Sequence, residues 1–254
     1  MGKKMINFED IIIYEDNHLL VINKPSGVLS QEDSSGDLDV LSWAKTFIKK
    51  REHKPGNVYI GLVHRLDRNT AGLMCLAKTS KAAARLSEQI RNKTWTKGYL
   101  TLSLAHKKQA PDTEWQLWLD HLDKDGETNK SMLVNKTSKP KIKHNVKGKA
   151  AILNTKLLAQ KIIDNELINL RTHELVTGRS HQIRVQMHAR DESIIGDFKY
   201  GAKKIRGLSK FYLGLFAYKL QIEHPTRKES MTFTAKPNDK FFWEFFNDEI
   251  SELL

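Results

Sequence analysis

The chain reads as an α+β protein, on three observations. Short runs rich in Ile, Val and Leu recur along it, bounded by Asn, Asp, Gly and Pro, as strands require. Two stretches, 38–50 and 80–92, instead repeat apolar residues at three- and four-residue spacing, the signature of amphipathic helices. The length of 254 residues can bury one sizeable core, as one large domain or as two subdomains sharing a sheet. A single domain over 1–254 is the expected organisation.

The elements follow in order. Residues 10–14 and 19–23 predict a strand pair turning at Glu15-Asp16-Asn17. Leu41, Ala44, Phe47 and Ile48 share one face of the first helix. Residues 58–63 read as a strand, and the apolar run 73–77 as the next one. The segment 80–92 predicts a helix capped by Ser80, with Ala83, Leu86 and Ile90 on one side. Strands are predicted over 99–104, 151–158, 167–175, 212–222 and 231–235. The tail 239–254 predicts a helix carrying Phe241, Phe242, Phe245 and Phe246. Glu244, Asp248 and Glu249 flank that aromatic set, so it suits a cap on the core better than a base-stacking platform.

Charge narrows the partners. The formal net charge is +12 and the pI about 9.6, which fits work against a phosphate backbone. No run of about 18 apolar residues is present. The start, residues 1–7, has a basic tip and no apolar core, so it is not read as a signal peptide. The single Cys75 excludes an intramolecular disulfide and suits a reducing cytoplasm. The segment 130–149 holds seven lysines and no acid. It reads as a solvated hairpin or loop, because Lys139-Pro140-Lys141 argues against a continuous ladder. Lys139, Lys141 and Lys143 are the residues there that would contact RNA phosphates.

Two polar clusters carry candidate chemistry. In His64-Arg65-Leu66-Asp67-Arg68-Asn69-Thr70-Ala71-Gly72, a carboxylate sits between two arginines on a connection between strands. Flanking cations bias it toward the ionised form, which suits a nucleophile or base; the plainer alternative is a structural ion pair at a turn. The second cluster runs from Thr177 to His188. Ser180 is the expected N-cap of a short helix burying Ile183 and Met187. Arg184, one turn on, can direct a planar fork at a carboxylate or phosphate. His181 and His188 are seven apart, not a usual zinc-ligand spacing, and read as structural.

These clusters, together with Val21-Ile22-Asn23-Lys24-Pro25-Ser26-Gly27, resemble the RluA-type pseudouridine synthases. Lys97-Gly98-Tyr99 resembles the family's Lys-x-Tyr motif, and Ile195 to Gly201 its Gly-Asp-x-x-Tyr-Gly element. Leu215-Phe216-Ala217 with His224-Pro225 resembles its late strand and turn. Six matches in family order, from about Asp10 to Pro237, cover nearly the whole chain. Asn69, Ala71 and Phe216 stand where the family more often has Asp, Ser and His, which bears on substrate fit and loop packing. The small N-terminal RNA-binding module (S4-like) that many relatives carry is not expected here.

The resemblance implies a pseudouridine synthase fold: a mixed, mainly antiparallel sheet flanked by helices, with a central basic cleft. It implies isomerisation of specific uridines in structured RNA, ribosomal or transfer. Isomerisation needs no redox change and no external group, so neither cofactor nor metal is implied. Asp67 would be the catalytic carboxylate, and attack at ribose carbon 1, attack on the uracil ring and removal of a ribose proton all stay open. Arg184 would pair with Asp67, Tyr99 would stack on the uracil, and Leu215 would close the pocket floor. Arg65 would fill the space of the flipped base, with His64 and Lys24 also near the substrate. The expected protein is a cytoplasmic monomer that does not bind membranes. A non-catalytic RNA-binding or RNA-folding protein on the same fold is the alternative. A metal-dependent nuclease fits less well, since both clusters are dominated by arginine and histidine rather than carboxylates.

Overall fold

A computed structural model describes residues 6–124, 131–137, 148–237 and 241–254. Its strands are β1 (Ile12–Glu15), β2 (Leu19–Lys24), β3 (Gly61–Leu62), β4 (Ala71–Ala77), β5 (Thr96–Leu104) and β6 (Gln116–Lys124). They continue as β7 (Ser131–Thr137), β8 (Lys149–Ile163), β9 (Glu166–Leu175), β10 (Leu215–Glu223) and β11 (Ser230–Thr234). The helices are α1 (Val40–Arg51), α2 (Ser80–Arg91), α3 (Gln182–His188) and α4 (Asn247–Ser251). The fold is therefore α+β, as expected. The chain divides into two compact units, Met1–Trp95 with Ala217–Lys236, and Thr96–Phe216 with Pro237–Leu254.

In the first unit the strand order is β1-β2-β4-β10, with β3 on β4 and β11 on β10. β2 and β4 are continuous apolar runs, and Leu19 to Ile22 and Met74 to Ala77 are fully enclosed. That is what a strand covered on both faces requires. Asp16 makes the β1–β2 turn by accepting the N–H groups of His18 and Leu19, each at 2.7 Å. Asp39 caps α1 through the Ser42 N–H at 2.9 Å. Thr79, not Ser80, caps α2, its Oγ1 accepting the Ala82 N–H at 3.1 Å. Thr79 is extended (φ −137°, ψ 154°), the N-cap conformation, whereas Ser80 is already helical. Gly72 has φ +117°, and a Cβ there would run into the Ala217 backbone, so β4 accepts only glycine at that point.

In the second unit the order is β5-β9-β8-β6-β7, antiparallel throughout. Strand β6 was not expected from the sequence. Asp120 lies in the middle of β6 and interrupts its apolar pattern, yet it is fully buried, receiving Gln186 Nε2 at 2.7 Å and Arg190 at 2.9 Å. Part of the lysine-rich segment read as a hairpin or loop, Ser131–Thr137, is strand β7, paired antiparallel with β6; Lys139, Lys141 and Lys143 lie outside the described residues.

Helix α3 buries Ile183 and Met187 as expected, but Ser180 is not its cap. The chain enters through His181 in the left-handed region, φ 53°. The Gln182 side chain ties the entry instead, its Oε1 accepting from Arg179 N at 3.0 Å and Thr177 Oγ1 at 2.8 Å. The tail forms a 3-10 turn (Trp243–Phe246) and then α4. Phe242, Trp243 and Phe246 are buried, while Phe241 and Phe245 are 37% and 46% exposed, so only half of the phenylalanine set packs inward. Among the described residues no helix is long and apolar enough to cross a membrane.

Candidate active site

Asp67 belongs to the connection between β3 and β4. Its carbonyl accepts the Thr70 N–H at 3.0 Å, which turns the chain through Arg68 and Asn69. Residues 24–30 supply many of the contacts to this loop. Ser30 Oγ donates to the Leu66 carbonyl at 2.7 Å and accepts the Leu66 N–H at 3.2 Å. Gly27 N–H donates to the Arg68 carbonyl at 2.9 Å, and Arg68 Nε returns a bond to the Gly27 carbonyl at 3.1 Å. Ser26 Oγ donates to the Asn69 carbonyl at 2.9 Å. The segment after β2 is thus a bracket for the Asp67 loop, and this is the physical content of the Asn-Lys-Pro-x-Gly pattern in the first unit.

Lys24 is the centre of that bracket. It is fully enclosed, and its Nζ donates to the carbonyls of Pro25 (3.0 Å), Val28 (2.7 Å) and Arg68 (3.0 Å). Three acceptors match the three donors of an ammonium. Burial pulls Lys24 down to about 7, the Asp67 charge opposes that pull, and Arg68 adds to it. Arg68 also reaches Asp37 at 2.6 Å, and Arg65 is exposed. His64 accepts the Cys75 N–H at Nε2, 2.8 Å away. Trp95 packs edge-on against its ring, centroids 5.2 Å apart. Lys24 and His64, expected among the substrate contacts, are engaged with the backbone of their own unit.

The second unit holds the other expected site residues. Arg184 grips Asp197 with two prongs, Nε to Oδ2 and Nη2 to Oδ1, both 2.7 Å. Asp197 is 2% exposed, and the Arg184 guanidinium lies 5.1 Å over the Tyr200 ring. Tyr200 is itself fixed, its hydroxyl 2.8 Å from His181 Nδ1 and 3.1 Å from the Ser131 N–H it accepts. Gly196 has φ +82°, and a Cβ there would meet the Tyr212 carbonyl, which explains glycine directly before Asp197. Asp197 lies in the Gly-Asp-x-x-Tyr-Gly element recognised in the sequence, but its pairing with Arg184, thirteen residues earlier, is not legible there.

Tyr99 is buried on β5 opposite His173 of β9. His173 bonds Thr101 Oγ1 at 2.8 Å, and burial, helped by Arg171, pushes it down to about 3. The imidazole beside Tyr99 is therefore neutral across physiological pH. Burial also lowers the Lys97 ammonium, two residues before Tyr99. Leu215 is 5% exposed. Lys24, His64, Arg65 and Asp67 thus belong to the first unit, and Tyr99, Arg184 and Leu215 to the second.

Residues 18–189 match the family model described as RNA pseudouridylate synthase. The chain is 34% identical over 244 residues to "Ribosomal large subunit pseudouridine synthase C" of Buchnera aphidicola subsp. Baizongia pistaciae, covering 93% of this chain and 70% of that protein. It is 33% identical over 227 residues to "Dual-specificity RNA pseudouridine synthase RluA" of Haemophilus influenzae, covering 89% and 92%. In fold it resembles human RNA Pseudouridylate Synthase Domain Containing 4, with TM-score 0.70 and 21% identity over 96% of this chain and 94% of that one. Human RNA Pseudouridylate Synthase Domain Containing 1 gives TM-score 0.67 and 21% identity over 89% and 83%. Motifs, strand architecture and sequence relatives agree, and the chain belongs to the RNA pseudouridylate synthase family.

Proposed function

We propose that this chain isomerises uridine to pseudouridine in structured RNA, ribosomal RNA in the first instance, with Asp67 as the catalytic carboxylate. The reaction breaks the bond from ribose carbon 1 to uracil nitrogen 1, turns the base, and joins ribose carbon 1 to uracil carbon 5. Carbon 5 gives up its proton and nitrogen 1 takes one, so the product has the substrate's atoms. An ionised carboxylate held close to the ribose serves any of the three routes left open above. The supporting observation is the bracket: six side-chain and backbone bonds between residues 24–30 and the loop hold the residues on either side of Asp67. Preorganisation of that kind is what a reacting group needs and an incidental turn does not. The family resemblance, not the arrangement of the two units, assigns Tyr99 a stacking face, Leu215 an apolar wall, Arg184 a cationic fork and Arg65 the side chain that replaces the extruded base. Extrusion itself costs a few kcal/mol in a duplex and less in a loop. The name of a ribosomal relative favours ribosomal RNA, and the dual specificity printed for another leaves a second RNA class open.

The test pairs mapping with one substitution. Pseudouridine mapped in total RNA, with and without this gene, should lose at least one site, and the lost site names the substrate. Asp67→Asn, which keeps shape and loses charge, should abolish formation of that pseudouridine while leaving RNA affinity within about threefold. Turnover within about tenfold of wild type, a barrier change near 1.4 kcal/mol, would show that Asp67 is not the essential group. No lost site in any RNA would favour the binding-only alternative.

A further inference from the structure

Strand β3 pairs with β4 for two residues only, Gly61 with Ala77 and Leu62 with Leu76. Beyond Leu62 the chain leaves β4 to build the Asp67 loop. Cys75, next along β4, is fully buried, and a buried N–H left without an acceptor is strongly disfavoured. The His64 ring supplies the acceptor where the ladder has ended. We propose that His64 is a positioning residue for Asp67: its neutral imidazole bonds the Cys75 N–H, extends the β3–β4 pairing by a side chain, and so fixes the entry to the loop. The inference rests on the role of Asp67 given above. Two residues on, Ser30 grips Leu66 at both its N–H and its carbonyl. The approach to Asp67 is thus held at 64 and again at 66, and displacement of a reacting group by about 1 Å can cost about a hundredfold in rate.

The bond has a protonation requirement. Neutral imidazole offers one acceptor nitrogen, whereas imidazolium offers donors on both, so a protonated His64 would set N–H against N–H. Acid therefore releases the loop entry. Among the described residues, the charged and titratable groups on this loop or bonded to it include Arg65, Asp67 and Arg68, with Asp37 paired to Arg68, Lys24 at the end of β2 and Cys75 on β4; Trp95 contributes an uncharged ring. Arginines keep their charge throughout. The Cys75 thiol, pushed up to about 12 by burial, stays neutral. Lys24, at about 7, gains charge as the pH falls, in the same direction as His64. The variants must separate these two.

Turnover at saturating RNA, RNA affinity and the ¹⁵N shifts of the His64 ring are to be followed from pH 8 to pH 5. In the wild type, Nε2 should be unprotonated at pH 8, and its protonation should share a midpoint with a fall of about tenfold in turnover, with affinity little changed. His64→Gln places an amide oxygen near the position of Nε2. It should retain turnover within about threefold at pH 8 and lose the acid limb. His64→Leu, with no acceptor, should lose about tenfold at every pH. An acid limb unchanged in His64→Gln would assign the titration to Lys24 or another group. Full turnover in His64→Leu, or Nε2 protonated at pH 8, would overturn the proposal outright. The ring measurement on wild-type protein stands even if both variants fold poorly. It also stands if no RNA is modified, an outcome that would count against Asp67 rather than against the His64 bond.

Discussion

Arg184 is a guanidinium whose two prongs are both taken by a buried carboxylate, and this makes Arg184→Lys a sharper experiment than its conservative look suggests. Lysine keeps the charge but offers a point donor in place of a fork, so Asp197, 2% exposed, loses half of its bidentate partner. We expect turnover to fall by about tenfold or more and the melting temperature to drop. Unchanged values of both would remove Arg184 from the site and show that the Asp197 pair is dispensable. Tyr99→Phe asks a narrower question. The ring face remains, so RNA docking should survive, and turnover should fall if the hydroxyl handles a proton. A Phe variant as fast as wild type would confine Tyr99 to stacking. At this scale the sequence was informative where a motif concentrates charge on a few adjacent residues, as around Asp67. It did not reveal pairings that come from elsewhere in the chain: Asp197 with Arg184, although its motif was recognised, Ser30 with Leu66, and Cys75 with His64. Those contacts depend on how the chain returns on itself, which single-sequence spacing does not carry.

Among the elements, the β1–β2 turn shows how one carboxylate organises a strand pair and a distant corner together. Asp16 closes the turn through His18 and Leu19, and its Oδ2 accepts from Tyr14 at 3.0 Å and lies 2.8 Å from His224 Nε2, at the β10–β11 corner. His224 Nδ1 accepts the N–H groups of Thr226 and Arg227, so Nε2 carries the proton that Asp16 receives. Burial alone would raise the Asp16 carboxyl, but these donors outweigh it and hold it at about 2. A carboxyl depressed in the folded state stabilises the fold above the ordinary aspartate value, near 4, and that contribution disappears as the pH falls from about 4 through about 2. Stability measured by denaturant unfolding should therefore fall over that window in the wild type. Asp16→Asn should already be less stable at pH 7 and show a shallower fall. Parallel curves for the two proteins would mean that Asp16 is not differentially protonated on unfolding. This turn was legible as Glu15-Asp16-Asn17 between two apolar runs, and so were both long helices. Strand β6 was not, because buried Asp120 interrupts the alternation by which strands are recognised, and its partners Gln186 and Arg190 lie some seventy residues away.

At the scale of the whole molecule, 42 lysines and arginines against 30 aspartates and glutamates leave a net +12. A field of that sign raises the local concentration of RNA and speeds encounter, and it does so without regard to sequence. Affinity and chemistry should then respond to different residues. Phosphate contacts release counterions, so each one lost should flatten the plot of log affinity against log salt by roughly 0.7 to 0.9. Lys139, Lys141 and Lys143 lie in the stretch where seven lysines occur without an acid, between residues 130 and 149. Replacing all three by alanine should weaken binding to specific and unrelated RNAs alike, and lower the salt slope by roughly 0.7 to 0.9 for each contact removed. Turnover at saturating RNA should stay within about twofold. A salt slope equal to that of the wild type would show that these lysines make no phosphate contact. A collapse of saturated turnover with the slope preserved would instead tie the segment to catalysis or to folding, and the division between a sequence-independent electrostatic arm and a bracketed catalytic loop would fail.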